Sequence, residues 1–124
     1  MAKINVEQDR TTQLEITTSA NTVTVGKGIT FHSQSNGIVE SGDASGNHYV
    51  IEGTVIAEGS GNSSLGYWGA DTLVTVEEGG NLGSDYWAIR AFCDDSKIIN
   101  RGTIQGAEVG IGIAGDNNRI INHG

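Results

Sequence analysis

The apolar residues of this chain fall in short β-branched runs that are separated by Gly, Asn, Asp and Ser. Such runs, without a 3.6-residue periodicity, are typical of β-strands rather than helices. The clearest run is repeated: Ser96–Gly102 (SKIINRG) recurs 22 residues later as Asn118–Gly124 (NRIINHG). The Ile-Ile pair, the Asn and the Gly all match, which predicts an internal structural repeat.

The same frame extends upstream. A small polar residue precedes each apolar run, at spacings of 26, 24, 24 and 22 residues: Asn21, Asn47, Asp71, Asp95 and Asn117. A Gly and two further apolar segments complete most units. Three short strands with turns between them bury an apolar face only by stacking on the next unit, about 4.8 Å away. We therefore predict an all-β fold, a parallel β-helix (solenoid) of about four coils of 22–26 residues.

An antiparallel β-sandwich is the alternative, because it also places strands about every 8–12 residues. It does not need Ile-Ile-Asn-x-Gly at matching positions, so we favour the solenoid and assign residues 20–124 to its coils. Residues 1–19 do not fit the repeat. The alternation at 13–17 predicts a strand, and we expect this segment to cap the first coil. The C-terminal end is expected to be uncapped, either because a longer solenoid is truncated there or because two copies pair through it.

The segment Ile98–Ile104 (IINRGTI), followed by Val109–Ile111 (VGI), resembles the repeats of bacterial autotransporter, haemagglutinin-like and RTX-associated right-handed β-helix proteins. The resemblance implies a right-handed solenoid in a secreted or cell-surface bacterial protein, either an adhesin or a protein that acts on polysaccharides. The chain differs from these families because it shows no N-terminal signal segment and no Gly-Gly-x-Gly-x-Asp calcium repeat. The secretion route is therefore left open.

Composition narrows the classes of partner. The 124 residues include 19 Gly and no Pro, which suits a turn-rich chain whose backbone N–H groups join ladders. The net charge of −8 disfavours nucleic acid, since phosphate binding needs clustered Lys and Arg. No apolar run approaches the ~20 residues of a membrane span, so no membrane insertion is expected. The single cysteine, Cys93, is expected to be buried and inert.

Two Tyr-Trp pairs, Tyr67-Trp68 and Tyr86-Trp87, lie in successive predicted coils and are the candidate ligand-binding residues. Neighbouring strand residues face opposite ways, so one ring of each pair should point outward. Two outward rings on one face would form a stacking platform for a polysaccharide or surface glycan. The alternative is that the rings pack on each other or in the core. The pairs are 19 residues apart, so their register is not fixed.

Asp94 and Asp95 resemble the paired carboxylates of polysaccharide-cleaving β-helix enzymes, with His123 as a possible third catalytic group. Asp95 is also a turn residue, which accounts for it without chemistry. On the repeat frame it lies at the opposite end of a strand from His123. No cofactor or metal site is predicted, because the histidines are too far apart for a metal motif. Asn100 and Asn122, one coil apart, are expected to form a side-chain amide ladder.

These patterns favour a structural or interaction module, adhesin-like and without catalysis of its own, in a secreted or surface bacterial protein. The alternative is a polysaccharide-binding or polysaccharide-cleaving β-helix protein. A third hypothesis is a fragment whose function lies in a longer parent. The expected partners are a polysaccharide or surface glycan, and a second copy bound through the uncapped C-terminal coil.

Overall fold

The computed structural model describes residues 2–41 and 43–124, which form 15 β-strands and no helix. Sheet A holds, in spatial order, β1 (Lys3–Val6), β3 (Thr22–Val25), β6 (His48–Ile51), β9 (Leu73–Val76), β12 (Lys97–Asn100) and β15 (Arg119–Asn122). Sheet B holds β4 (Thr30–Ser33), β7 (Thr54–Ala57), β10 (Asn81–Ser84) and β13 (Thr103–Gly106). Sheet C holds β2 (Leu14–Ile16), β5 (Ile38–Glu40), β8 (Leu65–Tyr67), β11 (Trp87–Phe92) and β14 (Val109–Ala114).

The three sheets form a parallel β-solenoid, which confirms the predicted fold class. Every strand pairs in parallel with its equivalent in a neighbouring coil, and strands that follow one another in sequence lie in different sheets from β2 to β15. The alternative of an antiparallel sandwich is therefore wrong. Four coils are complete, with one strand in each sheet, and they run from β3 to β14.

The first segment of the chain continues two of these sheets. β1 pairs with β3, and β2 pairs with β5. β2 is the strand that the alternation at 13–17 predicted. In place of a third strand, Arg10 makes a single bridge to Phe31. The segment is therefore an incomplete first coil. Sequence analysis missed this because the spacing from Lys3 to its partner Thr22 is shorter than in the later coils.

One corner of the solenoid turns through a left-handed residue in every coil. The residues of this column have φ between 57° and 66°: Ala20, Gly46, Asp71, Asp95 and Asn117. The predicted anchors Asn21 and Asn47 lie one position later. They form a second column, whose members are hydrogen-bonded between neighbouring coils: the N–H of Asn21 donates to Asn47 Oδ1 at 2.8 Å. Gly, Asn and Asp tolerate left-handed geometry better than other residues, which accounts for every member of the column except Ala20.

The core is a stack of inward side chains. In sheet A the register aligns Val23, Tyr49, Val74, Ile98 and Ile120. The first four are fully buried. Burial of each such side chain contributes roughly 1.5–3 kcal/mol, so the stack stabilises the solenoid along its whole length.

Candidate ligand-binding face

The outer side of sheet C carries a cluster of aromatic rings around one arginine. In β11 the outward residues Arg90 and Phe92 alternate with the buried Ile89 and Ala91. The guanidinium carbon of Arg90 lies 5.2 Å from the centre of the Phe92 ring and 6.0 Å from that of Trp87. The two rings meet edge to face, with centres 6.2 Å apart. We call Trp68, Trp87, Arg90 and Phe92 the sheet C face.

Glycines on both neighbouring strands leave room for the indole rings. Arg90 is paired in register with Gly66 on β8 and with Gly112 on β14. A Cβ at Gly112 would overlap the six-membered ring of Trp87, and one at Gly66 would lie 3.2 Å from Cη2 of Trp68. Each indole therefore lies over a glycine backbone, on opposite sides of Arg90.

Among residues 2–41 and 43–124, no acidic side chain forms an ion pair with the Arg90 guanidinium. Its Nε is buried and has no hydrogen-bond partner in the described part of the chain. The rings hold the guanidinium by cation–π contact, which contributes about 0.5–1 kcal/mol at such a site. The arginine is thus positioned by packing rather than by a carboxylate.

An open depression lies beside this cluster. It is lined by Trp68 and Phe92 together with Cys93, Asp94 and Gly115. Trp68 is 45% exposed, so one of its faces is accessible to a ligand. Cys93 is buried, and burial raises the pKa of its thiol, which keeps it neutral near pH 7. The depression therefore combines an accessible ring with a carboxylate at its rim.

The four predicted ligand-binding residues differ in accessibility. Trp68 and Trp87 belong to the sheet C face, and Tyr86 stacks on Trp87 with ring centres 5.4 Å apart. Tyr67 was a wrong candidate, because its side chain is completely buried and its hydroxyl bonds Ser96 Oγ at 3.4 Å. The two Tyr-Trp pairs are not equivalent, since Tyr67 aligns with Ala91 in the next coil.

The catalytic candidates do not form one site. Asp94 Oδ1 accepts the N–H of Asp116 at 2.7 Å, one coil away, and Asp95 is a left-handed corner residue. His123 follows the far end of β15, whereas both aspartates precede β12, to which β15 is paired. A four-residue strand, about 13 Å long, therefore lies between them. Within residues 2–41 and 43–124, no group of three or more His, Cys, Asp or Glu could hold a metal.

The two ladder asparagines lie one above the other. Asn100 Nδ2 donates to Asn122 Oδ1 at 2.9 Å. Each Oδ1 also accepts a backbone N–H two residues later, from Gly102 at 3.0 Å and from Gly124 at 3.3 Å. The asparagines therefore fix the corner between sheets A and B, which is a structural role.

Sequence analysis missed Glu40, a residue that is only 4% exposed and points into the solenoid. It accepts hydrogen bonds from the Tyr49 hydroxyl at 2.6 Å and from Asn47 Nδ2 at 3.2 Å. It also accepts the N–H groups of Trp68 and Gly69, at 3.2 Å and 2.9 Å. Burial, and then the bond to Glu40, raise the pKa of Tyr49 above its ordinary value. Glu40 thus fixes the backbone at Trp68, which belongs to the sheet C face.

Comparisons with models of protein families, with curated proteins and with solved structures find no match to this chain. The resemblance to autotransporter, haemagglutinin-like and RTX-associated repeats therefore stays a prediction. In the described part of the chain, no helix is long and apolar enough to cross a membrane.

Proposed function

We propose that this solenoid is a structural and interaction module without catalysis of its own, and that it binds its partner through the sheet C face. One observation carries the proposal: Trp87 and Phe92 hold Arg90, which has no ion-pair partner in the described part of the chain, beside the half-exposed ring of Trp68. Strand pairing on both sides of β11 holds these groups in place. Binding to a rigid face loses little conformational entropy.

The chemistry of the face favours a glycan as the partner. Aromatic rings present flat apolar surface to the C–H side of a sugar ring, and the guanidinium donates hydrogen bonds to sugar oxygens. Such a role suits an adhesin-like protein that is secreted or displayed at a bacterial surface. Polysaccharide cleavage is the weaker alternative, because Asp94 caps the neighbouring coil and Asp95 forms a turn.

Tryptophan fluorescence tests the proposal, because the chain has only two tryptophans and both belong to the face. The protein is titrated with a panel of soluble polysaccharides, and the same samples are assayed for shortened chains. We expect a saturable spectral shift with at least one polymer and no cleavage. Trp68→Ala should weaken binding by about tenfold, equivalent to roughly 1.4 kcal/mol.

Gln105→Ala, an exposed position on sheet B, is the matched control and should leave the affinity unchanged. A lack of response to every polymer would argue against a glycan partner. Cleavage that Asp94→Asn abolishes would show that the enzymatic alternative is right.

A further inference from the structure

Arg90 differs from two other arginines in what its guanidinium contacts. Arg10 donates hydrogen bonds to two backbone carbonyl oxygens, at 2.7 Å and 3.0 Å. Arg101 pairs with Glu77 at 3.5 Å. Arg90 is partly buried, yet among residues 2–41 and 43–124 its Nε has no hydrogen-bond partner and its guanidinium forms no ion pair. The described part of the chain therefore supplies this cation with no anion.

The strand register explains why Arg90 is unpaired. The outward column that contains it consists, in order along the solenoid, of Glu15, Val39, Gly66, Arg90 and Gly112. The two immediate neighbours of Arg90 are glycines, which have no side chain to reach the guanidinium. Glu15 is the acidic member of the column, and three strand spacings, about 14 Å, separate it from Arg90. That distance is too long for an ion pair.

Asp94, at the rim of the depression, contacts the neighbouring coil instead. Its Oδ1 accepts the N–H of Asp116 at 2.7 Å. Asp94 follows the end of β11, whereas Arg90 lies within that strand. The carboxylate of Asp94 therefore holds the corner of the solenoid, and Arg90 keeps its charge for a ligand.

The guanidinium of Arg90 matches a carboxylate in shape and in charge. Its N–H groups form a planar fork that can donate two parallel hydrogen bonds to the two oxygens of one carboxylate. The rings of Trp87 and Phe92 cover part of the group, and charge-assisted hydrogen bonds are stronger beside such apolar surface than in water. A neutral sugar hydroxyl leaves the positive charge without a counter-charge. Arg90 therefore favours a sugar that carries a carboxylate.

The charge of the whole chain limits how acidic the ligand is. The net charge of −8 repels a polymer in which every sugar carries a carboxylate. Trp68 provides a second contact, for a neutral sugar. Its ring is 45% exposed and lies over Gly66, one strand spacing from Arg90. The face thus combines one cation with a neighbouring apolar ring.

We propose that the sheet C face binds a glycan in which a carboxylated sugar lies next to a neutral one. The carboxylate accepts two hydrogen bonds from Arg90, and the neutral sugar stacks on Trp68. Because Gly66 and Arg90 lie on adjacent strands, the glycan crosses the strands and runs along the solenoid axis. This inference rests on the proposed function, since it names the class of glycan that the same face takes.

A matched pair of ligands tests the inference in the unmodified protein. One is a hexasaccharide in which glucuronic acid alternates with N-acetylglucosamine. The other is the same hexasaccharide after its carboxyl groups are reduced to primary alcohols, so that glucose replaces glucuronic acid. Isothermal titration calorimetry at 0.15 M salt, where charges more than about 8 Å apart are largely screened, measures both affinities. We expect the acidic hexasaccharide to bind about ten- to hundredfold more tightly.

Variants show whether Arg90 causes this preference. Arg90→Gln should bind the two hexasaccharides with affinities within about twofold of each other. Arg90→Lys keeps the charge without the planar fork and should retain part of the preference. Trp68→Ala should weaken both ligands by a similar factor and leave their ratio unchanged. Gln105→Ala, on sheet B, is the matched control and should behave like the parent protein.

The outcomes separate this inference from the proposed function. Equal binding of the two hexasaccharides, or tighter binding of the reduced one, would leave a glycan-binding face but overturn the carboxylate contact. The same holds if a neutral polymer binds and neither hexasaccharide does. An acidic preference that survives in Arg90→Gln would also overturn the assignment to Arg90. Tighter binding of a peptide with one glutamate between glycines would show that the anion comes from protein. Failure of every glycan to bind would overturn both proposals.

Discussion

Replacement of Glu40 by Ala removes the acceptor of four hydrogen bonds inside the solenoid. The Tyr49 hydroxyl, Asn47 Nδ2 and two backbone N–H groups lose their partner. Each buried donor that is left unsatisfied costs about 1–3 kcal/mol. Some donors will find water in the space that the side chain leaves, so we expect a loss of roughly 4 kcal/mol. For a chain of this size that corresponds to a melting temperature about 15 °C lower.

Urea unfolding, followed by tryptophan fluorescence and far-UV circular dichroism, measures this loss. Glu40→Gln keeps one carbonyl acceptor and should lose less, about 1–2 kcal/mol. In a double-mutant cycle, Tyr49→Phe and Glu40→Ala together should cost about 1 kcal/mol less than their sum, because they remove the same hydrogen bond. Glu52→Ala, at an exposed glutamate, is the control. A loss below about 1 kcal/mol for Glu40→Ala, similar to this control, would refute the reasoning.

Three further predictions concern stability. Burial raises the pKa values of Tyr49 and Tyr67, so both phenols stay neutral in the folded protein above pH ~10, where they ionise in the unfolded chain. The free energy of unfolding should therefore be constant below that pH and fall above it, by up to about 1.4 kcal/mol per pH unit for each tyrosine. In urea unfolding, replacing either tyrosine by Phe should reduce this slope. Ala20→Gly relieves a left-handed alanine (φ 59°) and should raise stability by about 1 kcal/mol in the same assay. Gly102→Ala places a Cβ against the carbonyl oxygen of Gly80 in the coil below and should lower the free energy of unfolding by about 2–4 kcal/mol. Gly28→Ala, the control, meets open space and should lower it only by the backbone strain at φ 82°, about 1 kcal/mol, as measured by thermal unfolding.

The architecture could be predicted because the repeat encodes it locally. Ile98–Gly102 and Ile120–Gly124 occupy the same strand and corner in consecutive coils. The exact corner position was harder to assign. Asn21 and Asn47 lie one residue after the left-handed column, and Asp71 lies in it, so the same residue types serve two adjacent roles.

The sheet C face was predictable only in part. Strand alternation correctly places Trp68 outward after the buried Tyr67. The rule does not apply to Tyr86 and Trp87, because Tyr86 precedes β11 at a corner, and both rings lie near the surface. The contact between Arg90 and the two aromatic rings follows from side-chain packing, which the repeat frame does not specify.

Glu40 shows what sequence reasoning could not reach. Its inward direction follows from strand alternation, because Glu40 lies two residues after the buried Ile38 in β5 and therefore faces the same side. Its hydrogen-bond donors come from other parts of the chain: Tyr49 lies nine residues later, and Trp68 lies 28 residues later. A buried carboxylate is expected only once those donors are known to converge on it.

Chemical-shift mapping by NMR tests the proposed binding face most directly. The isotope-labelled protein is titrated with the polysaccharide that gives the largest fluorescence response. The account predicts that the perturbed amides cluster at Trp68 and along β11, with the indole N–H signals of both tryptophans among them. Perturbations confined to sheets A or B, or no perturbation by any polymer, would contradict the assignment of sheet C as the binding face.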